Sequence, residues 1–285
     1  MASAKDIKKR IKGIKNIQQI TRAMEMVAGA KLRRAQILAE SAKSYAEKIQ
    51  SLMQNLGSAI ATIEHPLLVK REEKNVALIL ITSDRGLCGA YNANLFKKVQ
   101  AYFSENQGKK ISLFCVGKKG NDFFKHKNYD IQYYSPSDNK VMTLDKVNEL
   151  VGKLIQEYSL TSFDKILIVF SKFVSVMNQL PTERPLLPVE KIEEKKSRQV
   201  DYIFEPGPEN LLEKLFPKYL ENQLYNAIVE SYASELAARL VSMKNATKSA
   251  GEMMDSLTLT YNKARQAGIT KEILEIISGA EALKG

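Results

Sequence analysis

Between residues 7 and 60, small or apolar side chains recur in alternating steps of three and four. The positions are Ile7, Ile11, Ile14, Gln18, Thr21, Glu25, Ala28, Leu32, Ala35, Ala39, Ala42, Ala46, Ile49, Met53, Leu56 and Ile60. Apart from a polar interlude at Gln18, Thr21 and Glu25, this is a heptad seam, sustained well past the length of an ordinary globular helix. It predicts one helix over residues 1–60. A second seam runs through Val229, Tyr232, Leu236, Leu240, Met243, Thr247, Ala250, Met254, Leu257 and Tyr261, within a helix predicted from about 208 to 277. Two such seams bury each other, and the heptad period implies a left-handed supercoil. At 1.5 Å per residue, about 55 residues make a rod of about 80 Å that projects from any body of this mass. Ile60 leads into the intervening segment and Leu211 leads out of it, which favours an antiparallel pairing within the chain. The heptads alone leave a coiled coil between two chains open.

The pattern changes between the helices. Glu64, His65, Pro66 and the charged run Lys70 to Lys74 form a link, followed by a continuous apolar run from Val76 to Ile81 that reads as a buried strand. Amphipathic helices are predicted at Asn92 to Glu105, Lys118 to Lys127 and Leu144 to Tyr158, and further strands at Ile111 to Val116 and Lys165 to Val174. Strands alternating with helices predict a mostly parallel sheet covered on both faces, a compact α/β domain over residues 70–205. Pro181, Pro185 and Pro188 restrict Gln179 to Val189 to a loop or a sheet edge. Val200 to Phe204 is the last strand-like piece, and Pro217 is expected to kink or restart the last helix near its beginning. The domains are therefore 1–60, 70–205 and 208–285.

Composition narrows the class. The chain has 285 residues, 44% of them hydrophobic, and its longest apolar run is too short to span a bilayer. No charged segment followed by an apolar core opens it as a signal peptide would, so a cytosol-like compartment is expected. Cys88 and Cys115 read as reduced, partly buried thiols, and with only His65 and His126 beside them no zinc-ligand spacing exists. The net charge of +11 is concentrated. Lys5, Lys8, Lys9, Arg10, Lys12, Lys15, Arg22, Lys31, Arg33 and Arg34 stand against Asp6 and Glu25 in the first 36 residues. A solvated helix face accounts for such a surplus, as does an acidic partner: nucleic acid, anionic lipid or the acidic loops of another protein.

An α/β sheet invites a nucleotide site, and the sequence supplies no fingerprint for one. Neither the glycine-rich dinucleotide motif nor a phosphate loop ending in Gly-Lys-Ser/Thr occurs; Gly117-Lys118-Lys119-Gly120 lacks the hydroxyl residue and reads as a surface turn. Ser83 and Cys88 have no neighbouring base that would make either a nucleophile. The most distinctive string, Ser83-Asp84-Arg85-Gly86-Leu87-Cys88-Gly89-Ala90-Tyr91-Asn92, reads as a strand-to-helix turn in which Asp84 and Arg85 can pair and Asn92 can cap the following helix.

Three segments carry a resemblance. They are Ile20-Thr21-Arg22-Ala23-Met24-Glu25-Met26-Val27-Ala28 with Lys31-Leu32-Arg33-Arg34-Ala35, then Asp84-Arg85-Gly86-Leu87-Cys88-Gly89, and last Tyr261 to Ile273 with Ser278-Gly279-Ala280. In order and across the whole chain, they resemble the gamma subunit of F-type ATP synthases. The resemblance implies that the terminal helices form an antiparallel coiled-coil shaft inside a ring of three alpha and three beta subunits. It places a Rossmann-like α/β foot against epsilon and the ring of c subunits, in an assembly that also holds delta. Nucleotide chemistry belongs to beta in that family, so no catalytic residue, cofactor or metal is implied here. The chain's work would be to couple ion flow through the c ring to ATP synthesis by rotation.

The resemblance also implies residue roles. Met24 matches a position that faces an acidic loop of beta, Arg239 matches its partner on the other helix, and Gln266, Thr270 and Glu272 match further contacts to the alpha/beta ring. Tyr202 and Glu205 match the foot near the c ring and epsilon. Without the resemblance, Met24 is an ordinary seam residue and Arg239 a solvated one. The region from Glu190 to Asp201 has no cysteine, unlike the chloroplast relatives, so thiol control of that kind is not expected. Absence of a presequence favours a bacterial enzyme, peripheral to the inner membrane on its cytoplasmic face. The rival reading is a basic coiled-coil nucleic-acid-binding protein, whose affinity would fall steeply with salt. Residues 1–36 hold none of the aromatic side chains a single-strand binder uses.

Overall fold

The computed structural model describes residues 4–55, 65–137, 141–189 and 208–282. Its elements in order are α1 (Ala4–Asn55), β1 (Asn75–Ile81), α2 (Tyr91–Glu105), β2 (Lys110–Val116), α3 (Lys118–Lys125), β3 (Ile131–Ser135), α4 (Leu144–Ser159), β4 (Lys165–Phe173), β5 (Gln179–Leu187) and α5 (Pro208–Ala282). The chain forms two units by contact: Met1–Ala28 with Leu240–Gly285, and Gly29–Arg239.

In the first unit, the seam residues that sequence periodicity picked out are the ones removed from water. On α1, Ile7, Thr21 and Ala28 are buried and Ile11, Ile14, Gln18 and Glu25 half-buried; on α5, Met243 and Ala250 are buried and Leu240, Thr247, Met254, Leu257 and Tyr261 half-buried. Thr21 meets Thr247, and Gln18 reaches one turn further along α5, toward Gly251. As the chain runs backward along α1 it runs forward along α5, so the pairing is antiparallel and within one chain.

The second unit is built on a five-stranded sheet of order β3-β2-β1-β4-β5. β1 to β4 are parallel and β5 is antiparallel at one edge. Alternation along the strands gives it two apolar faces. Ala77, Ile79, Ile81, Phe114, Ile166, Ile168 and Phe170 face a core closed by α4, by the end of α1 (Ile49, Met53) and by α5 (Leu212, Phe216, Leu220, Leu224). Val76, Leu78, Leu80, Leu113, Cys115, Leu167 and Val169 face Tyr91, Leu95, Val99 and Tyr102 of α2 and Phe124 of α3. Both cysteines are free and fully buried; burial pushes the Cys115 thiol up to about 12.

Of the two readings left open for the segment with prolines, the sheet edge holds, and two other elements differ from expectation. The segment with prolines is the edge strand β5, where a missing N–H costs no ladder bond on the outer side. β3, a short strand whose residues alternate between half-buried and exposed up to the buried Ser135, had not been anticipated. α5 is not restarted at Pro217 but runs through it. Burial of Leu212, Phe216 and Leu220, about 2 kcal/mol each, outweighs the roughly 3 kcal/mol that an interior proline costs. Leu56, Ile60 and the strand-like piece at 200–204 lie outside the described residues.

The base of the sheet carries an ionic cluster in which Glu73 accepts from Lys109 at 2.5 Å and from Lys165 at 2.7 Å. The Lys109 hydrogen bond, then that of Lys165, holds the Glu73 carboxyl below its usual range. A carboxyl with a depressed folded pKa contributes stability that is present above its unfolded pKa and lost as pH falls through the folded one. Glu73→Gln is therefore expected to flatten the loss of stability between about pH 5 and pH 3, read as the urea midpoint at each pH.

Candidate functional site

In an open α/β sheet, ligands enter the crevice at the carboxyl ends of strands where the strand order reverses. Here that point lies between β1, which crosses over through α2 to β2 on one side, and β4 on the other. The crevice is filled by the chain's own α5. The Tyr91 hydroxyl lies 2.7 Å from Ser231 Oγ and donates to the Ser231 carbonyl at 3.1 Å, and the Ser234 hydroxyl donates to the Ser171 carbonyl at the end of β4 at 2.9 Å. Ser231 and Ser234 are buried. What remains is a void of about 20 Å³ beside Thr82, Tyr91 and Glu235, room for about one water.

The helix N-terminus that could have bound a phosphate is taken as well. Asp84 Oδ1 accepts from the Lys118 N–H at 2.9 Å and the Ser137 N–H at 3.3 Å, and Oδ2 from the Ser137 hydroxyl at 2.7 Å. The carboxylate thus meets the exposed N–H groups and the positive end of α3. Gly117-Lys118-Lys119-Gly120 is a capped helix start in which Gly120 N–H donates to Thr82 Oγ1 at 2.9 Å. Asp84→Ala strands these donors and is expected to cost about 1–2 kcal/mol of unfolding free energy, measured by urea titration.

The turn after β1 is tied from inside. Asn92 does not cap α2, whose N-cap is Ala90. Its side chain turns back, accepting from Ser83 N–H at 3.2 Å and donating to Ser83 Oγ at 2.7 Å and Cys88 Sγ at 3.3 Å. Burial pushes the Cys88 thiol up, which keeps it protonated and unreactive. Leu87 stands at φ 63°, a left-handed conformation strained for a leucine, and its side chain is 59% exposed.

Arg239 holds this turn from α5. Its guanidinium pairs with Glu235 at 2.6 Å, with the two side chains 14% and 12% exposed, and donates to the carbonyls of Gly86 at 3.3 Å and Arg85 at 3.5 Å. It is neither solvated nor idle. Burial raises the Glu235 carboxyl, and Arg239 opposes that shift. Glu235 was not singled out from sequence, although its four-residue spacing from Arg239 is the usual signal of a helical ion pair.

The other anticipated residues are distributed. Met24 is half-buried on α1. Gln266, Thr270 and Glu272 lie in a run, 265–281, in which every side chain is exposed; the Thr270 hydroxyl donates to the Gln266 carbonyl at 3.0 Å. Gln266 and Thr270 share one face of the helix and Glu272 points away from it. Ile269, Ile273, Leu274, Ile276 and Ile277 are exposed in the same run. All ten basic residues of the first 36 are exposed. Tyr202 and Glu205 lie outside the described residues.

The class is that of an open, doubly covered α/β sheet whose crevice and α3 N-terminus are occupied by the chain's own side chains, in a chain whose terminal helices also form an antiparallel two-helix coil. A family model described as ATP synthase matches residues 3–283. The "ATP synthase gamma chain" of Heliobacterium modesticaldum is 44% identical over 99% of this chain and 100% of its own length, and that of Desulforamulus reducens 44% identical over the full length of both. The chain belongs to the ATP synthase gamma chain family. In fold it is similar to a chain of the Euglena gracilis mitochondrial ATP synthase rotor, with TM-score 0.66 at 21% identity over 93% of this chain and 98% of that one. Among the described residues no helix is long and apolar enough to cross a membrane.

Proposed function

We propose that this chain is the central rotor shaft of an F-type ATP synthase, coupling ion flow through a c ring to ATP synthesis or hydrolysis on beta subunits. The observation that carries this reading is the full-length match to gamma chains, non-catalytic subunits of the enzyme. The self-filled crevice agrees with it, because such a chain has no need of a nucleotide site. A shaft without threefold symmetry presents a different face to each of three chemically identical sites and so biases each toward a different nucleotide affinity. The bias is limited to the difference in interaction energy between the states. The exposed run 265–281, with its apolar side chains, is suited to contact with surrounding alpha and beta subunits.

In this reading Met24, Arg239, Gln266, Thr270 and Glu272 meet the alpha/beta ring, while Tyr202 and Glu205 lie toward the c ring and epsilon. Arg239 makes its contact while gripping the 85–86 turn, so a load on that turn passes directly to α5. The protein sits peripherally at the cytoplasmic face of the bacterial inner membrane, held there through the c ring. The family match carries this reading over a basic nucleic-acid-binding one. The test is assembly: mixed with its cognate alpha and beta subunits, the chain should yield one complex with sustained ATPase activity. Separate elution of the three proteins would overturn the proposal.

A further inference from the structure

We infer that the polar interlude of the seam is a directional link that makes α1 and α5 twist as one. Thr21 is buried, and the Thr247 hydroxyl donates to Thr21 Oγ1 at 2.9 Å. The Thr21 hydroxyl donates in turn to the Gln18 carbonyl at 3.0 Å. The Met243 carbonyl lies 2.9 Å from Thr247 Oγ1, so the same pair can relay in the opposite sense. Gln18 Nε2 reaches across to the Thr247 carbonyl at 3.5 Å, and a methyl group on Gly251 would stand 3.2 Å from that nitrogen. The glycine leaves room for the glutamine.

Beyond the polar positions Gln18, Thr21 and Glu25 the seam is Ile7, Ile11, Ile14 and Ala28 on one helix and, around Thr247, Leu240, Met243, Ala250, Met254 and Leu257 on the other. Contacts of that kind are non-directional and tolerate small sliding and rotation at little cost. A hydrogen bond between the buried Thr21 hydroxyl and the half-buried Thr247 hydroxyl tolerates neither, because its strength falls within a few tenths of an ångström and the Thr21 group it abandons stays buried. One polar seam position sets register in coiled coils at some cost in stability. Here Thr247 is set against the polar stretch of α1. Two helices turned by a load are then joined at this layer by more than shape. The functional half of the inference, that the layer stiffens the shaft, rests on the rotor reading; the structural half does not.

The test replaces both threonines with the near-isosteric valine, which keeps the seam filled and removes the link, and with serine, which restores the hydroxyls. Spin labels at Gln19→Cys and Ser249→Cys, exposed sites beside the layer, report the separation of the helices in the full-length chain; native Cys88 and Cys115 are buried. One narrow distance is expected with threonine and with serine, and a broadened or split one with T21V/T247V. A valine variant as narrow as the parent overturns the inference. In the complex with alpha and beta, the angular fluctuation of a probe on a stalled shaft should widen in the valine variant and return with serine. Unchanged fluctuation overturns the stiffening role. Failure of the parent chain to assemble would count against the rotor reading and leave the label distances to decide the layer.

Discussion

Replacing Met24 with lysine is expected to lower the number of ions pumped per ATP hydrolysed while hydrolysis continues. Met24 is half-buried on α1, two residues from the exposed Arg22, on a helix already rich in positive charge. If its position faces an acidic loop of a beta subunit, an added ammonium group forms a close charge pair across a partly dry contact. Such pairs contribute about 1.5 kcal/mol or more, about tenfold in the lifetime of the contact. A bond of that strength favours one angular state of the shaft over the others, and the cycle then completes without full transmission. The measurement is proton uptake per ATP in inverted vesicles carrying the variant. Met24→Leu, similar in volume and uncharged, should leave the ratio as it is. An unchanged ratio with lysine would show that no acidic group faces this position.

Gly117→Ala is expected to prevent the second unit from folding. At φ +101° the residue is already in backbone space that side chains rarely enter, and an added Cβ would lie 2.1 Å from the Thr82 carbonyl oxygen. The surrounding backbone cannot give way, because Thr82 N–H donates to the Val116 carbonyl at 2.8 Å and Gly117 N–H to the Ser135 carbonyl at 2.9 Å. Conformational strain of about 1–3 kcal/mol adds to the cost of parting β1, β2 and β3, against a total stability of about 5–15 kcal/mol. Gly152→Ala is the control. It lies in α4 with nothing within 4 Å of the added carbon and should stabilise by about 0.5–1 kcal/mol. Circular dichroism and urea titration of the two variants separate them; equal stability would contradict the close approach at Gly117.

What the sequence made legible follows from how local each signal is. The α1 seam from Ile7 to Met53 was readable because burial on a paired helix follows its period, and each of those positions is buried or half-buried. β1, β2 and β4 were readable because strands covered on both faces are continuous apolar runs. β3 was not, since Ile131-Gln132-Tyr133-Tyr134-Ser135 is short, carries only one aliphatic residue and leaves Gln132 and Tyr134 exposed, so it lacks the continuous apolar run of the central strands. Asn92 was misassigned because capping propensity describes a local contest; here the side chain is claimed by Ser83 and Cys88 of the preceding turn. The filling of the crevice was out of reach: Tyr91 and Ser231 are 140 residues apart in sequence. The sequence shows that the phosphate motifs are missing; that Asp84 takes the N-terminus of α3 and Ser231 meets Tyr91 in the crevice is visible only in the folded chain. For Arg239 the family resemblance marked the position, while its grip on Arg85 and Gly86 became visible only in the folded chain.

The most direct test of the account is to fix the cognate alpha and beta ring to a surface, attach a bead to an exposed residue of the second unit, and watch it while ATP is supplied. The account predicts stepwise rotation in one direction that stops when ATP is withdrawn. A stable, ATP-hydrolysing complex with a motionless bead would make this chain a static scaffold and contradict the claim that it turns.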